Sequence, residues 1–141
     1  MAQSTIRYPV PETGSGLARR TATGVLLSVV LVLLAQGIVD ALSIDVGATG
    51  SMSPFAAGPL VGATIVAGAG AAVAYAAAVK FTDQPVRNFV ALAAGVFVIM
   101  LGPVFLAPPE GITTVGQAIL VLYHALVAVP LVAFITGAVE A

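Results

Sequence analysis

Four long apolar stretches, separated by short polar connections, dominate the pattern of this sequence. They cover about residues 21–39, 55–79, 88–107 and 115–138, so each is about 19–25 residues long. An α-helix rises about 1.5 Å per residue and the hydrocarbon layer of a membrane is about 30 Å thick, so each stretch can cross it once. Strands of a membrane barrel alternate apolar and polar positions, which these runs do not. The pattern predicts an all-α membrane protein with four transmembrane helices.

The polar connections predict how the helices are joined and where two of them begin. Short loops between successive helices are typical of an up-down-up-down antiparallel bundle. Ser53 followed by Pro54 has the pattern of a helix N-cap with a proline in the first turn. Thr114 with Gln117 three residues later has the pattern of a capping box, which predicts the start of the fourth helix.

In a bundle of four antiparallel helices, all five basic residues would lie on the same side of the membrane. Three precede the first stretch and two flank the connection between the second and third, namely Arg7, Arg19, Arg20, Lys80 and Arg87. The other two connections carry only acidic residues. Basic residues in short loops stay in the cytoplasm, so the sequence predicts a multi-pass plasma-membrane protein with both termini cytoplasmic.

The chain divides into two parts by composition. Residues 1–18 contain Pro, Gly, Ser and Thr with little hydrophobicity, which predicts a disordered cytoplasmic tail. Residues 19–141 form the predicted four-helix transmembrane domain. The first apolar run also resembles a signal peptide, with Ala41-Leu42-Ser43 as a cleavage pattern, but it is longer than the usual apolar core of such a peptide.

Composition excludes several classes of protein. The chain is 60% hydrophobic and only 8% charged, with a mean hydropathy of +1.11, whereas about a quarter of a soluble domain is charged. A net charge of −1 argues against nucleic acid as a partner, because no basic surface is available to neutralise phosphates. The absence of cysteine excludes disulfides, thiolate metal sites and iron–sulfur clusters.

The second stretch is rich in small residues at four-residue spacing. Gly58 and Gly62 form a GxxxG pair, and the small residues predicted to pack beside them are Ala63, Ala67, Gly70, Ala71 and Ala74. Helices in lipid associate by close van der Waals contact, which small residues permit. Two hypotheses follow: this surface packs against the other helices of the same chain, or it forms the interface of a homo-oligomer.

His124 is the only ionisable residue well inside a predicted span. It lies ten residues past Thr114, about 15 Å from the outer boundary of the membrane. A neutral imidazole at this depth needs a hydrogen-bond partner, and Thr64 lies at the same depth in the second helix. Ser28 in the first helix is a further hydroxyl near this depth.

Two hypotheses account for His124. An ionisable residue inside a membrane is a candidate for proton relay or ion passage. The alternative is an interhelical hydrogen bond that only fixes the packing. Pro130 leaves the carbonyl of Leu126 without its helical donor, which offers one more acceptor near the same turn.

The sequence offers no catalytic or cofactor pattern. It contains no nucleophile–base pair, phosphate-binding loop, zinc-protease motif or paired carboxylates. A single histidine could ligate haem only across a dimer or with an open axial position, and one ligand does not make a metal site. The sequence therefore predicts a protein that is not an enzyme and that has no catalytic, cofactor-binding or metal residues and no cofactor.

Four loose motifs occur together in this chain: the run from Pro54 to Pro59, the small-residue second helix, the Gly102-Pro103 pair, and Thr113-Thr114 followed by His124 and Pro130. In these motifs the chain resembles a family of small four-helix membrane proteins of unknown function, found in actinobacteria and haloarchaea. The resemblance covers about residues 20–138. Family members often carry Met before the histidine, where this chain has Tyr123. The resemblance implies four helices and a plasma-membrane location, but no activity.

We therefore expect a non-enzymatic structural or accessory membrane subunit. Its predicted partners are the lipid bilayer and either a second copy of itself or a larger membrane complex. The first alternative is a homo-oligomeric transporter or channel component that uses His124. The second alternative is a membrane enzyme or electron carrier with the same histidine as ligand or acid/base.

Overall fold

The computed structural model describes residues 14–139, with side chains described from residue 16 onward. This part of the chain forms four α-helices, α1 (Gly14–Ala41), α2 (Ala57–Phe81), α3 (Pro85–Leu106) and α4 (Thr114–Ile135), and contains no strand. All four helices are long and apolar enough to cross a membrane. The prediction of an all-α protein with four candidate membrane-spanning helices is confirmed.

Helix α1 begins earlier than the sequence pattern predicts. Residues 14–18 were assigned to a disordered tail, but they form the first turns of α1. Leu17 in these turns packs beside the buried cluster around Tyr75, which gives this end of the helix a tertiary contact that the apolar pattern did not reveal. Residues 1–13 of the predicted tail lie outside the described residues.

Helices α1, α2 and α4 form the tightly packed part of the molecule. Helix α1 packs mainly against α4 and also against α2, whereas α3 contacts α2 and α4 but not α1. A Cβ built on Gly24 of α1 would lie 3.3 Å from the Cα of Leu131 in α4. Gly68 of α2 has no room for a side chain, because Val25 of α1 occupies that space. Glycine at these two positions lets the three backbones approach closely.

Two clusters of buried side chains fill the space between the helices. The first lies near the loop 42–56 and comprises Val32, Ala48, Phe55, Leu60, Val104, Leu120 and Tyr123. The second comprises Tyr75, Phe89, Leu131 and Ile135. An edge-to-face aromatic pair lies in each cluster, with ring centroids 6.1 Å apart for Phe55 and Tyr123 and 5.2 Å apart for Tyr75 and Phe89. Such pairs contribute beyond the area they bury.

The loop 42–56 and the loop 107–113 contact each other directly. Thr113 donates its backbone N–H to Val46 O (3.0 Å) and its hydroxyl to Asp45 O (2.7 Å). Gly47 has a positive φ of 83°, and a Cβ there would overlap the backbone of Gly111, so glycine is required on both grounds. These contacts hold the end of α1 beside the start of α4.

The predicted capping box of α4 is wrong in both members. The N-cap is Thr113, whose side chain accepts a hydrogen bond from the Gly116 N–H at 2.9 Å. Gln117 instead donates to Val104 O in α3 at 3.0 Å. The residue four positions after Val104 is Pro108, which has no N–H, so this carbonyl lacks a helical donor and accepts the amide.

The predicted cap of α2 is also wrong. Helix α2 begins at Ala57 with Ala56 as N-cap, and no side chain caps it. Ser53 donates to Ala48 O (2.9 Å) and accepts from the Phe55 N–H (3.2 Å). Its hydroxyl therefore stabilises the turn before the helix rather than the helix itself.

Arg20 joins α1 to the far end of α4. Its guanidinium Nη1 donates to Ile135 O at 3.3 Å. The last carbonyls of a helix lack intrahelical donors, and a cation at this end also complements the helix dipole. Arg19 is exposed, and its side chain forms no hydrogen bond or ion pair with a described residue.

We predict that Arg20→Met lowers the stability of the protein by about 1.5 kcal/mol, the lower end of the range for a hydrogen bond that involves a charged group, because this bond is long and only half-buried. Arg19→Met is the matched control, because it removes the same charge from the adjacent position without removing a contact. Thermal unfolding of both variants in the same detergent checks the prediction. Equal losses for the two variants would show that the charge, and not the contact with Ile135, stabilises the fold.

Candidate functional site

His124 lies halfway along α4 and is half-buried. Its Nδ1 lies 2.6 Å from Leu120 O, the carbonyl one turn earlier in the same helix. A carbonyl only accepts hydrogen bonds, so Nδ1 carries the proton, and Nε2 of the neutral ring keeps a lone pair. No other described residue forms a hydrogen bond with this ring. The histidine therefore presents an unpaired acceptor.

The predicted interhelical partners of His124 bind other groups. Thr64 donates its hydroxyl to Leu60 O within α2 at 2.7 Å. Ser28 is fully buried and donates to Val127 O across the α1–α4 contact at 3.2 Å. The hydrogen bond of His124 thus lies within α4 and not between helices, and both hydroxyls donate to backbone carbonyls instead.

His124 and Thr64 nevertheless line the same groove. The groove lies between α2, α3 and α4, has a volume of about 680 Å³ and is otherwise almost entirely apolar. We call it the α2/α3/α4 groove. Its volume falls within the range of about 300–1,000 Å³ that is typical of small-molecule sites. His124 and Thr64, the polar pair that the sequence predicts, therefore lie on the same surface, although they form no hydrogen bond with each other.

Small side chains of α2 create this groove. Five of the seven residues that the sequence predicted for close packing line it, namely Ala63, Ala67, Gly70, Ala71 and Ala74. The first three are exposed, and Ala71 and Ala74 are half-buried beside the Tyr75 cluster. Alanine and glycine side chains are too small to fill the space between α2, α3 and α4, so these residues line the groove and do not pack closely against another helix.

Gly58 and Gly62 face open space and not another of the four described helices. Both are exposed, and a Cβ built on either would have no atom of another element within 4 Å. Packing within the chain depends instead on Gly68 and Gly24, which the sequence analysis did not single out. A usable signal was present, because Gly68 shares its helix face with the bulkier Leu60 and Thr64 at four-residue spacing.

Three polar side chains, one from α4 and two from the C-terminal end of α1, form a chain of hydrogen bonds. The Tyr123 hydroxyl donates to Gln36 Oε1 (2.6 Å), and Gln36 Nε2 donates to Asp40 Oδ1 (2.9 Å). Gln36 and Asp40 also line a surface crevice of about 490 Å³ beside the loop 42–56. The ring of Tyr123 lines the α2/α3/α4 groove. Tyr123 therefore lies between the crevice and the groove, a role that the sequence did not indicate.

No group of three or more His, Cys, Asp or Glu side chains that could hold a metal ion occurs in residues 14–139.

In comparisons with known proteins, no family model matches the chain, and neither a curated protein nor a solved structure is significantly similar to it. The resemblance to a family of four-helix membrane proteins therefore stays a prediction.

We predict that Tyr123→Phe lowers stability by about 1 kcal/mol, because it leaves Gln36 with an unpaired acceptor in a partly buried position. Tyr75→Phe is the matched control. Tyr75 is fully buried, and its hydroxyl has no partner among the described residues within hydrogen-bond distance, although the Arg20 guanidinium lies close enough to interact with it, so its removal is expected to change stability less than the loss of the Tyr123 hydrogen bond. Thermal unfolding of both variants checks this, and a larger loss for Tyr75→Phe would contradict the assigned hydrogen bonds.

Proposed function

We propose that this chain is a non-enzymatic accessory subunit of the plasma membrane that binds a transmembrane helix of another protein. The observation that carries the proposal is the exposure of Gly58 and Gly62, whose Cβ positions have no atom of the described residues of other elements within 4 Å. Together with Ile65, Val66 and Ala69, which follow on the same side of the helix and are also exposed, they form what we call the outer α2 face.

The physics of helix association supports this surface as the docking site. Lipid tails are as apolar as leucine, so helices associate in the membrane only where their backbones and side chains fit closely. Glycine at 58 and 62 allows a partner backbone to approach, and Ile65 and Val66 provide side chains for it to pack against. The connections between the helices, residues 42–56, 82–84 and 107–113, are too small to form a separate domain, so we expect the partner to be met within the membrane.

The placement of charges supports an up-down-up-down bundle with both termini cytoplasmic. Asp45 belongs to the loop 42–56, and Glu110 belongs to the loop 107–113 that contacts it. Lys80 and Arg87 flank the connection between α2 and α3, and the contact of Arg20 with α4 lies at the end of α4 away from the two acidic loops. Basic residues concentrate on the cytoplasmic side of a membrane protein.

A homo-oligomeric transporter or channel component is the second candidate. The half-buried His124 favours it, since a polar group in an otherwise apolar groove is a functional candidate in a membrane. In that case the outer α2 face would join copies of this chain, and His124→Ala would abolish transport without loss of folding. A membrane enzyme or electron carrier would need a group bound to His124, and a haem would give a visible absorption band.

We predict that the gently extracted wild-type protein has the mass of a complex with a different membrane protein. The double variant Gly58→Leu, Gly62→Leu is expected to lose this partner by filling the space that its helix occupies, with at least a tenfold weaker association. Native mass spectrometry measures both species.

Gly95→Leu is the matched control, because Gly95 of α3 is also exposed with no atom within 4 Å of its Cβ position. It is expected to keep the partner. A solitary wild-type monomer would contradict the proposal, and a homo-oligomer that the double variant dissociates would favour the transporter instead.

A further inference from the structure

The α2/α3/α4 groove offers hydrogen-bond acceptors but no free donor among the described side chains that line it. The Thr64 hydroxyl proton is held by Leu60 O, and the Tyr123 hydroxyl proton is held by Gln36. Nδ1–H of His124 is held by Leu120 O. The remaining imidazole nitrogen, Nε2, is the strongest acceptor on this surface. A molecule that forms a hydrogen bond with one of these side chains must therefore be the donor.

The depth of His124 restricts the charge of such a molecule. The residue lies ten positions after the start of α4, about 15 Å along the helix and close to the middle of a layer about 30 Å thick. A charged group is costly at this depth, and phospholipid headgroups stay at the surface. The ligand is therefore uncharged, with a hydroxyl on an apolar body.

The lining of the groove favours an aromatic ring beside that hydroxyl. Phe97 and Tyr123 line the groove with His124, and aromatic rings pack well against each other in edge-to-face or offset geometry. Phenols are also stronger hydrogen-bond donors than aliphatic alcohols, because their hydroxyl is more acidic. Along α4 the groove extends from Leu120 to Val132, about 18 Å of helix, which accommodates an alkyl chain.

We propose that the α2/α3/α4 groove binds an uncharged, membrane-soluble phenol with an apolar chain, whose hydroxyl donates to Nε2 of His124. Lining side chains such as Leu92 and Met100 remain exposed on the surface of the bundle, so the ligand enters from the lipid. The site is separate from the outer α2 face, and it does not depend on the accessory role.

The test uses the full chain in lipid nanodiscs and three probes with the same alkyl chain. They are 4-decylphenol, its methyl ether, which lacks the donor, and 4-decylcyclohexanol, which lacks the aromatic ring. Isothermal titration calorimetry measures each affinity. We expect the phenol to bind at least tenfold more tightly than either of the other probes, which corresponds to about 1.4 kcal/mol.

Two pairs of variants locate the site. His124→Leu is expected to abolish the preference for the phenol over the ether, while His124→Gln, which keeps an acceptor, restores part of it. Ala67→Phe fills the groove and is expected to abolish binding of every probe. Ala94→Phe is its control, because Ala94 of α3 is exposed and lines neither the groove nor the outer α2 face.

The proposal is overturned if no probe binds the wild type, or if the ether binds as tightly as the phenol. Equal affinity for the cyclohexanol overturns the assignment of a phenol. Unchanged binding by Ala67→Phe overturns the assignment to the groove. Native mass spectrometry of the same samples supplies one more outcome: a wild-type dimer that Ala67→Phe dissociates would mean that a second copy covers the groove.

Discussion

The close approach of α1, α2 and α4 at Gly24 and Gly68 is the contact on which the rest of this structure depends. The hydrophobic effect does not drive helices together in lipid, so the three backbones must approach closely enough for dense van der Waals contact. Gly24 lets Leu131 of α4 lie against α1, and Gly68 gives Val25 its space. The same approach brings Ser28 within hydrogen-bond distance of Val127 O.

This arrangement assigns different tasks to the small residues around α2. Gly68 faces the packed core, whereas Ala63 and Ala67 line the groove toward α3, and Gly58 and Gly62 face away from the chain. Because α3 contacts α2 and α4 but not α1, it leaves the groove beside His124 open. One small-residue helix thus contributes to a tight core, to the wall of the α2/α3/α4 groove and to an exposed surface at once.

The number and type of the helices follow from the sequence, because each apolar run is long enough to cross a membrane as a helix. The start of α4 is harder to predict from the sequence, because Thr113 caps the helix while its hydroxyl also donates to Asp45 O in a loop far away along the chain. The partner of His124 is equally hard to predict, because its own helix offers Leu120 O. Small residues occur around nearly the whole of α2, so only the bulkier Leu60 and Thr64 on the face of Gly68 distinguish this core position from the exposed Gly62.

The most direct test of this account compares Gly68→Val with Gly70→Val in thermal unfolding. Both variants add the same side chain to α2, but only Gly68 faces Val25, while Gly70 has no atom within 4 Å of its Cβ position. The account predicts a loss of about 1–3 kcal/mol for Gly68→Val, the usual cost of overpacking, and little change for Gly70→Val. Equal stability of the two variants would contradict the claim that close backbone approach at Gly68 holds the bundle together.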